Sequence, residues 1–126
     1  MIKKVSFIGS IIHIISTEGA FETDMGTGIY EVSFLKDKVF VLLKYMELVG
    51  TDLYNRNILC LDEKGKQLWR VEDPDWYRSG KVRTENPFIG MGVPKDGTLI
   101  AATWDGFHIK IDINTGKLGK DWDYHK

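Results

Sequence analysis

The side chains best suited to acid–base, nucleophilic or metal chemistry are His13, His108, His125 and Cys60. Their spacing supports none of these. His13 sits in Ile11-Ile12-His13-Ile14-Ile15, where strand alternation puts it on the face of Ile11 and Ile15. A hydrogen-bonded core or edge histidine is the expectation there, because general acid–base work needs a positioned partner. His108 falls on the polar face of a strand beside Lys110, and His125 lies in the C-terminal tail. No two of these residues have metal-ligand spacing, and a single cysteine can form neither a thiolate pair nor an internal disulfide. Cys60 lies in the apolar run Ile58-Leu59-Cys60-Leu61 with no activating neighbour, and reads as a small buried hydrophobe. Glycine-rich phosphate loops and the Gly-x-Ser-x-Gly elbow are absent from the sequence, and Gly90-Met91-Gly92 reads as a bulge in a strand. The expectation is a protein that is not an enzyme and takes neither metal nor cofactor.

Binding chemistry is better represented. Glu72-Asp73-Pro74-Asp75-Trp76-Tyr77 combines three carboxylates with two adjacent aromatics, the composition of an interface anchor with an acidic rim. Glu18-Gly19-Ala20-Phe21-Glu22-Thr23-Asp24 repeats the theme, as does the stretch 47–55 with Asp52 and Tyr54. Read as loops on one scaffold, they would form a docking face for a basic partner. Asp73, Asp75, Trp76, Tyr77, Glu22 and Asp24 are the candidate protein-binding residues. Trp69, Trp104 and Trp122 fall at strand ends and are expected to pack.

The elements that position these residues are strands. At 126 residues, 43% apolar and 28% charged, the chain fits one globular domain spanning residues 1–126. Seventeen basic and eighteen acidic residues leave a net charge of −1, so no global attraction to nucleic acid or anionic lipid is expected. No apolar run approaches the ~20 residues of a membrane span. Met1-Ile2-Lys3-Lys4 and the apolar stretch after it imitate a secretory signal, but Gly9, Ser10 and His13 interrupt it and no small-x-small cleavage site follows. A strand pair is the reading, and a cytoplasmic location the expectation.

Short apolar runs bounded by Gly, Asp and Asn predict strands at Val5–Phe7, Ile11–Ile15, Ile29–Leu35, Val39–Tyr45, Asn57–Asp62, Gln67–Val71, Ile89–Val93, Thr98–Thr103, Phe107–Asp112 and Lys117–Trp122. Asp105-Gly106 between two apolar strands is the strongest hairpin signal. A unit occurs twice. Lys36-Asp37-Lys38 opens an apolar strand, followed by Leu59-Cys60-Leu61-Asp62, a Gly65 turn and Lys66-Gln67-Leu68-Trp69. Lys95-Asp96-Gly97 opens another, followed by Ile109-Lys110-Ile111-Asp112, a Gly116 turn and Lys117-Leu118. The consecutive apolar residues Val39–Leu43 and Leu99–Ala102 predict strands buried on both faces, whereas Phe107, Ile109 and Ile111 alternate with His108, Lys110 and Asp112. The organisation is N-terminal strands over 1–35, unit one over 36–73, a connecting loop over 74–88 and unit two over 89–122.

The segment Asp105-Gly106-Phe107 through Ile111-Asp112-Ile113-Asn114-Thr115-Gly116-Lys117 resembles a blade of the pyrroloquinoline-quinone-type β-propellers, and Leu59–Trp69 is similar to it. That resemblance covers about half the chain and implies blade-like four-stranded units, without any recognisable quinone position. A closed propeller needs at least about four blades, so the expected fold is all-β, built from antiparallel meanders as two packed sheets or a partly open barrel. In general character the chain also resembles small bacterial toxin-immunity proteins. This implies a binding inhibitor that covers the active-site groove of a cognate toxin, a basic nuclease for example. The alternative is a propeller-derived ligand-binding or self-assembling module.

Overall fold

A computed structural model describes residues 1–73 and 86–124. Among them are eleven strands: β1 (Ile2–Ile8), β2 (Ile11–Ser16), β3 (Gly19–Asp24), β4 (Ile29–Leu35), β5 (Lys38–Leu43), β6 (Ile58–Leu61), β7 (Gln67–Arg70), β8 (Phe88–Met91), β9 (Thr98–Thr103), β10 (Phe107–Asp112) and β11 (Leu118–Tyr124). They form three antiparallel meanders in chain order: a three-stranded sheet β1-β2-β3, then the four-stranded sheets β4-β5-β6-β7 and β8-β9-β10-β11. The fold is all-β and blade-like, as the sequence predicts, and the described strands form open sheets that do not close into a barrel. The N-terminal strands add a third sheet to the two of the repeat units. Because β4 pairs with β5, the step between the first and second sheets falls at 25–28 instead of after residue 35.

The second sheet is the middle layer. Phe40 and Leu42 of β5, with Ile58 and Cys60 of β6, pack toward the third sheet. Val39, Val41 and Leu43, with Leu59 and Leu61, pack toward the first. The consecutive apolar run of β5 is therefore buried on both faces, since one blade covers each side. The expectation of two-sided burial fails for β9. Leu99 and Ala101 are buried against the second sheet, but Ile100 is 47% exposed, because the described structure places no sheet on that side. β10 alternates as read, Ile109 and Ile111 in, His108, Lys110 and Asp112 out.

A second difference concerns residues 18–24, read as an acidic loop. They contain β3, paired in register with β2 (Ile14 opposite Phe21, His13 opposite Glu22). The physical signal is the alternation of Phe21 and Thr23, facing the second sheet, with Glu22 and Asp24, facing solvent. His13 is on the solvent face too, its Nδ1 3.2 Å from Glu22 Oε2, so it is not a core residue.

Turn glycines lock neighbouring sheets at two places. Gly65 (φ +87°), in the β6–β7 turn, lies against Thr23 of β3, whose hydroxyl donates to the Gly65 carbonyl at 3.3 Å. Gly116 (φ +78°), at the matching position of the third sheet, lies under the indole of Trp69. Only glycine meets both demands, a left-handed backbone and no Cβ beneath the neighbour.

Candidate functional site

A well-formed concavity among the described residues lies where the second and third sheets meet, at the end from which β5 leaves and β8 enters. The start of the eleven-residue excursion 46–56, Met46 and Glu47, forms part of its wall. Lys44 follows β5, and Tyr45–Leu48 winds into a 3-10 turn whose Leu48 plugs the core between the first and second sheets. Glu47 reaches back so that Oε1 accepts the Gly28 amide at 2.8 Å, its carboxylate packed against Gly28. The turn is thus fixed, and Tyr45 is held over the neighbouring sheet.

Across from it, Trp104 precedes the Asp105-Gly106 hairpin turn. Its ring centroid lies 6.1 Å from that of Tyr45, which in turn makes an edge contact with Tyr54 at 6.0 Å. With Tyr30, Met46 and Phe88, Tyr45 and Trp104 line a pocket of about 500 Å³ whose charged groups are Lys44 and Glu47. That is within the volume range of small-ligand and side-chain pockets. Trp104 is 51% exposed, Tyr30 61% and Met46 69%. Trp104 was expected to pack. It misses the core because Thr103, the residue before it, is the one turned inward.

The floor is pinned by buried amides. Asn57 is fully buried; its Nδ2 donates to the carbonyls of Leu43 (3.1 Å) and Phe88 (2.8 Å), and its Oδ1 accepts the Phe88 amide (2.9 Å). One side chain thereby joins β5 to β8. Asn55 Oδ1 accepts the Asn86 amide (2.6 Å), and Asn86 Oδ1 accepts that of Asp105 (3.1 Å). The Asp105 carboxylate accepts from the Thr103 hydroxyl at 2.6 Å, and that oxygen accepts the Phe107 amide at 3.1 Å. Buried amides satisfied in this way rigidify what they connect, so the excursion and the hairpin turn hold Tyr45 and Trp104 in fixed relation.

The residues singled out from sequence lie elsewhere. Glu22 and Asp24 are exposed on β3; Glu22 faces His13, and Asp24 Oδ1 accepts from the Ser10 hydroxyl and the Gly26 amide, both at 2.8 Å. Those bonds hold the Asp24 carboxyl below its usual pKa, the Gly26 amide first and Ser10 second. Asp73 is half-buried just beyond β7, on a different sheet from Glu22 and Asp24. Asp75, Trp76, Tyr77 and His125 lie outside the described residues. Among the described residues no group of three or more His, Cys, Asp or Glu is arranged to hold a metal. Burial pushes the Cys60 thiol up to about 12, in keeping with a packed and unreactive side chain.

The family model described as Domain of unknown function (DUF7957) matches residues 2–122. The chain belongs to this family. For the family, then, the fold is the firm statement. The chain is similar in structure to BamB from Moraxella catarrhalis, a β-propeller, with a TM-score of 0.58 at 13% identity over 97% of this chain and 35% of that one. It is likewise similar to two computationally designed proteins. Ika4 gives 0.56 at 16% identity over 99% of this chain and 74% of that one. Ika8 gives 0.55 at 16% over 98% and 37%. The chain thus spans a little over a third of BamB and Ika8 and about three quarters of Ika4. At these identities the likeness is one of fold, and it agrees with reading each meander as a propeller blade. No curated protein matches the chain in sequence. No helix among the described residues is long and apolar enough to cross a membrane.

Proposed function

We propose that this member of the family is a non-catalytic protein-binding domain that seats an apolar or aromatic side chain of its partner in the Tyr30–Tyr45–Trp104 pocket and masks the surface bearing it. The observation that carries the reading is the exposed aromatic rim of that pocket, with Met46 beside it, held on a floor of buried amides. Trp, Tyr and Met in a rigid concavity are the side chains over-represented at the energetic centres of protein interfaces. A fixed pocket also spares the partner the cost of ordering it. The specific form we favour is an immunity protein acting in the cytoplasm on a bacterial toxin. A basic toxin surface would meet Glu47 and Asp52 of the excursion and, further off, Glu22 and Asp24. No catalysis and no cofactor is needed for such a role.

The test is affinity capture from the native host with wild type and Trp104→Ala in parallel, circular dichroism confirming that the variant folds. A stoichiometric partner that is toxic when expressed alone, and that the variant captures at least about 30-fold more weakly (about 2 kcal/mol), supports the proposal. A partner held equally by both proteins rejects the pocket as the site.

A second reading, a module that assembles with copies of itself, is favoured by one observation. The outward faces of the two end sheets each carry an exposed isoleucine where the middle sheet is covered: Ile15 on the first and Ile100 on the third. Sedimentation velocity separates the two readings, since the masking protein is expected to stay monomeric without its partner.

A further inference from the structure

Each sheet has two edges, and the edges differ in how they are kept from pairing further. The edge strands β1, β4, β7, β8 and β11 all slip register against the strand beside them. Such irregularities bend an edge away from another chain. Among the described edge strands β3 alone pairs straight through, from Asp24 opposite Ile11 to Gly19 opposite Ser16. Its phase follows from one bond, the Met25 amide donating to the Ser10 carbonyl at 2.7 Å. Gly19, Phe21 and Thr23 therefore bond to β2, and the N–H and C=O of Ala20, Glu22 and Asp24 point to the open edge. All three residues are exposed, and no described backbone group pairs with them on that side.

This edge is guarded by charge instead of shape. Glu22 and Asp24 stand on its solvent face, with Phe21 and Thr23 on the face toward the second sheet. A strand laid beside β3 shares both faces, residue for residue. An acidic residue opposite Glu22 or Asp24 is repelled, and a lysine or arginine there is attracted. A second copy pairing β3 with β3 would set carboxylates against carboxylates, so the edge excludes the protein itself and selects a basic strand.

We propose that β3 takes an antiparallel strand from a partner protein, basic at the positions opposite Glu22 and Asp24 and apolar at the alternate ones. Backbone bonds exchanged at Ala20, Glu22 and Asp24 hold the added strand, and its side-chain pattern sets the specificity. Its apolar residues extend the face that Phe21 turns toward the second sheet. The edge is separate from the aromatic pocket, and the inference holds whether or not that pocket seats a side chain.

A magnetic-resonance titration of the isotope-labelled intact protein tests this, since it reports affinity and location together. The probe is a capped heptapeptide of alternating lysine and valine, and its control carries glutamate in place of lysine. The basic peptide is expected to shift the amides of Ala20, Glu22 and Asp24 and to bind at least about tenfold more tightly than the acidic one. The lysines opposite Glu22 and Asp24 are also the residues whose amides face β3. N-methylation of the lysines is therefore expected to abolish binding, and N-methylation of the valines to leave it intact. Ala20→Pro removes one outward N–H, no bond to β2 and no charge, and is expected to weaken binding about fivefold. The methylated peptides carry the test if that variant fails to fold. Equal binding of the basic and acidic peptides, equal effects of the two methylations, shifts confined to Tyr45 and Trp104, or no binding at millimolar concentration overturns the proposal.

Discussion

The two junctions between sheets use the same device and are made to different standards. Between the second and third sheets the contact is aromatic and tied by buried polar groups. Trp69 stacks on Gly116, donates from Nε1 to the Ile113 carbonyl at 2.9 Å and meets Phe40 at 6.2 Å, while Asn57 adds three bonds between β5 and β8. Between the first and second sheets the buried contact is aliphatic, built from Ile12, Ile14, Val39, Val41 and Leu61. Thr23 stands where Trp69 stands in the other junction, and a crevice remains beside it. The repeated glycine shows common construction; the residue placed on it decides how completely the junction closes. A tight second junction holds the aromatic pocket rigid, and a looser first junction leaves a crevice open.

Removing the larger side chain should separate the two most. Trp69→Ala is expected to cost about 3–5 kcal/mol, through a large cavity and an unsatisfied Ile113 carbonyl. Thr23→Ala should cost about 1 kcal/mol, since it loses one long hydrogen bond at a half-buried site. Urea denaturation compares them, and equal losses would mean that the junctions are energetically alike.

The glycines give a finer version. Both have left-handed backbones, so alanine at either position meets a strain of about 1–2 kcal/mol. Beyond that, a Cβ at Gly116 would strike the Trp69 ring, and one at Gly65 the Thr23 hydroxyl. Gly116→Ala should therefore be the more damaging, by about 1–2 kcal/mol. In a Thr23→Ala background the cost of Gly65→Ala should fall to the backbone strain alone, which a double-mutant cycle measures.

What could be read from the sequence divides along similar lines. The strands of the second sheet, the alternation of β10, the Asp105-Gly106 turn and the matching Gly65 and Gly116 turns are local signals, set by period and turn chemistry, and they were legible. β3 was not. Its exposed positions hold Glu22 and Asp24, and acids on a solvent face resemble a loop unless Phe21 and Thr23 are counted at period two. The outer side of β9 was misread because Ile100 is apolar without being covered; a hydrophobic run states what could be buried, and only the neighbouring layer decides what is. The aromatic pocket was illegible for another reason. Tyr30, Tyr45 and Trp104 come from three separate segments that meet only when the second and third sheets pack. One hint existed in Trp104 itself, directly ahead of a tight turn where core positions run out.

The titrating groups test each junction at opposite ends of the pH scale. Cys60 belongs to the core between the second and third sheets, and burial raises its pKa from 9.0 to about 12. A thiol whose folded pKa lies above its unfolded value contributes stability that is complete below pH 9 and lost as pH climbs toward 12, at about 1.4 kcal/mol per pH unit at most. Cys60→Ser should flatten this alkaline decline at some cost at neutral pH, and the wild-type thiol should react with a disulfide reagent only at the rate of unfolding. Asp24 sits at the end of the first sheet with a lowered pKa, so its contribution has the other sign. It is present above the unfolded value of 3.8 and is lost as pH falls through the folded one. Asp24→Asn should be slightly less stable than wild type at pH 7, and the difference should close in acid. Because Asp24 is fully exposed and its bonds are local, the effect should be the smallest of the set. A large effect would instead mean that the first junction depends on the Ser10–Asp24–Gly26 turn as much as the second depends on Trp69.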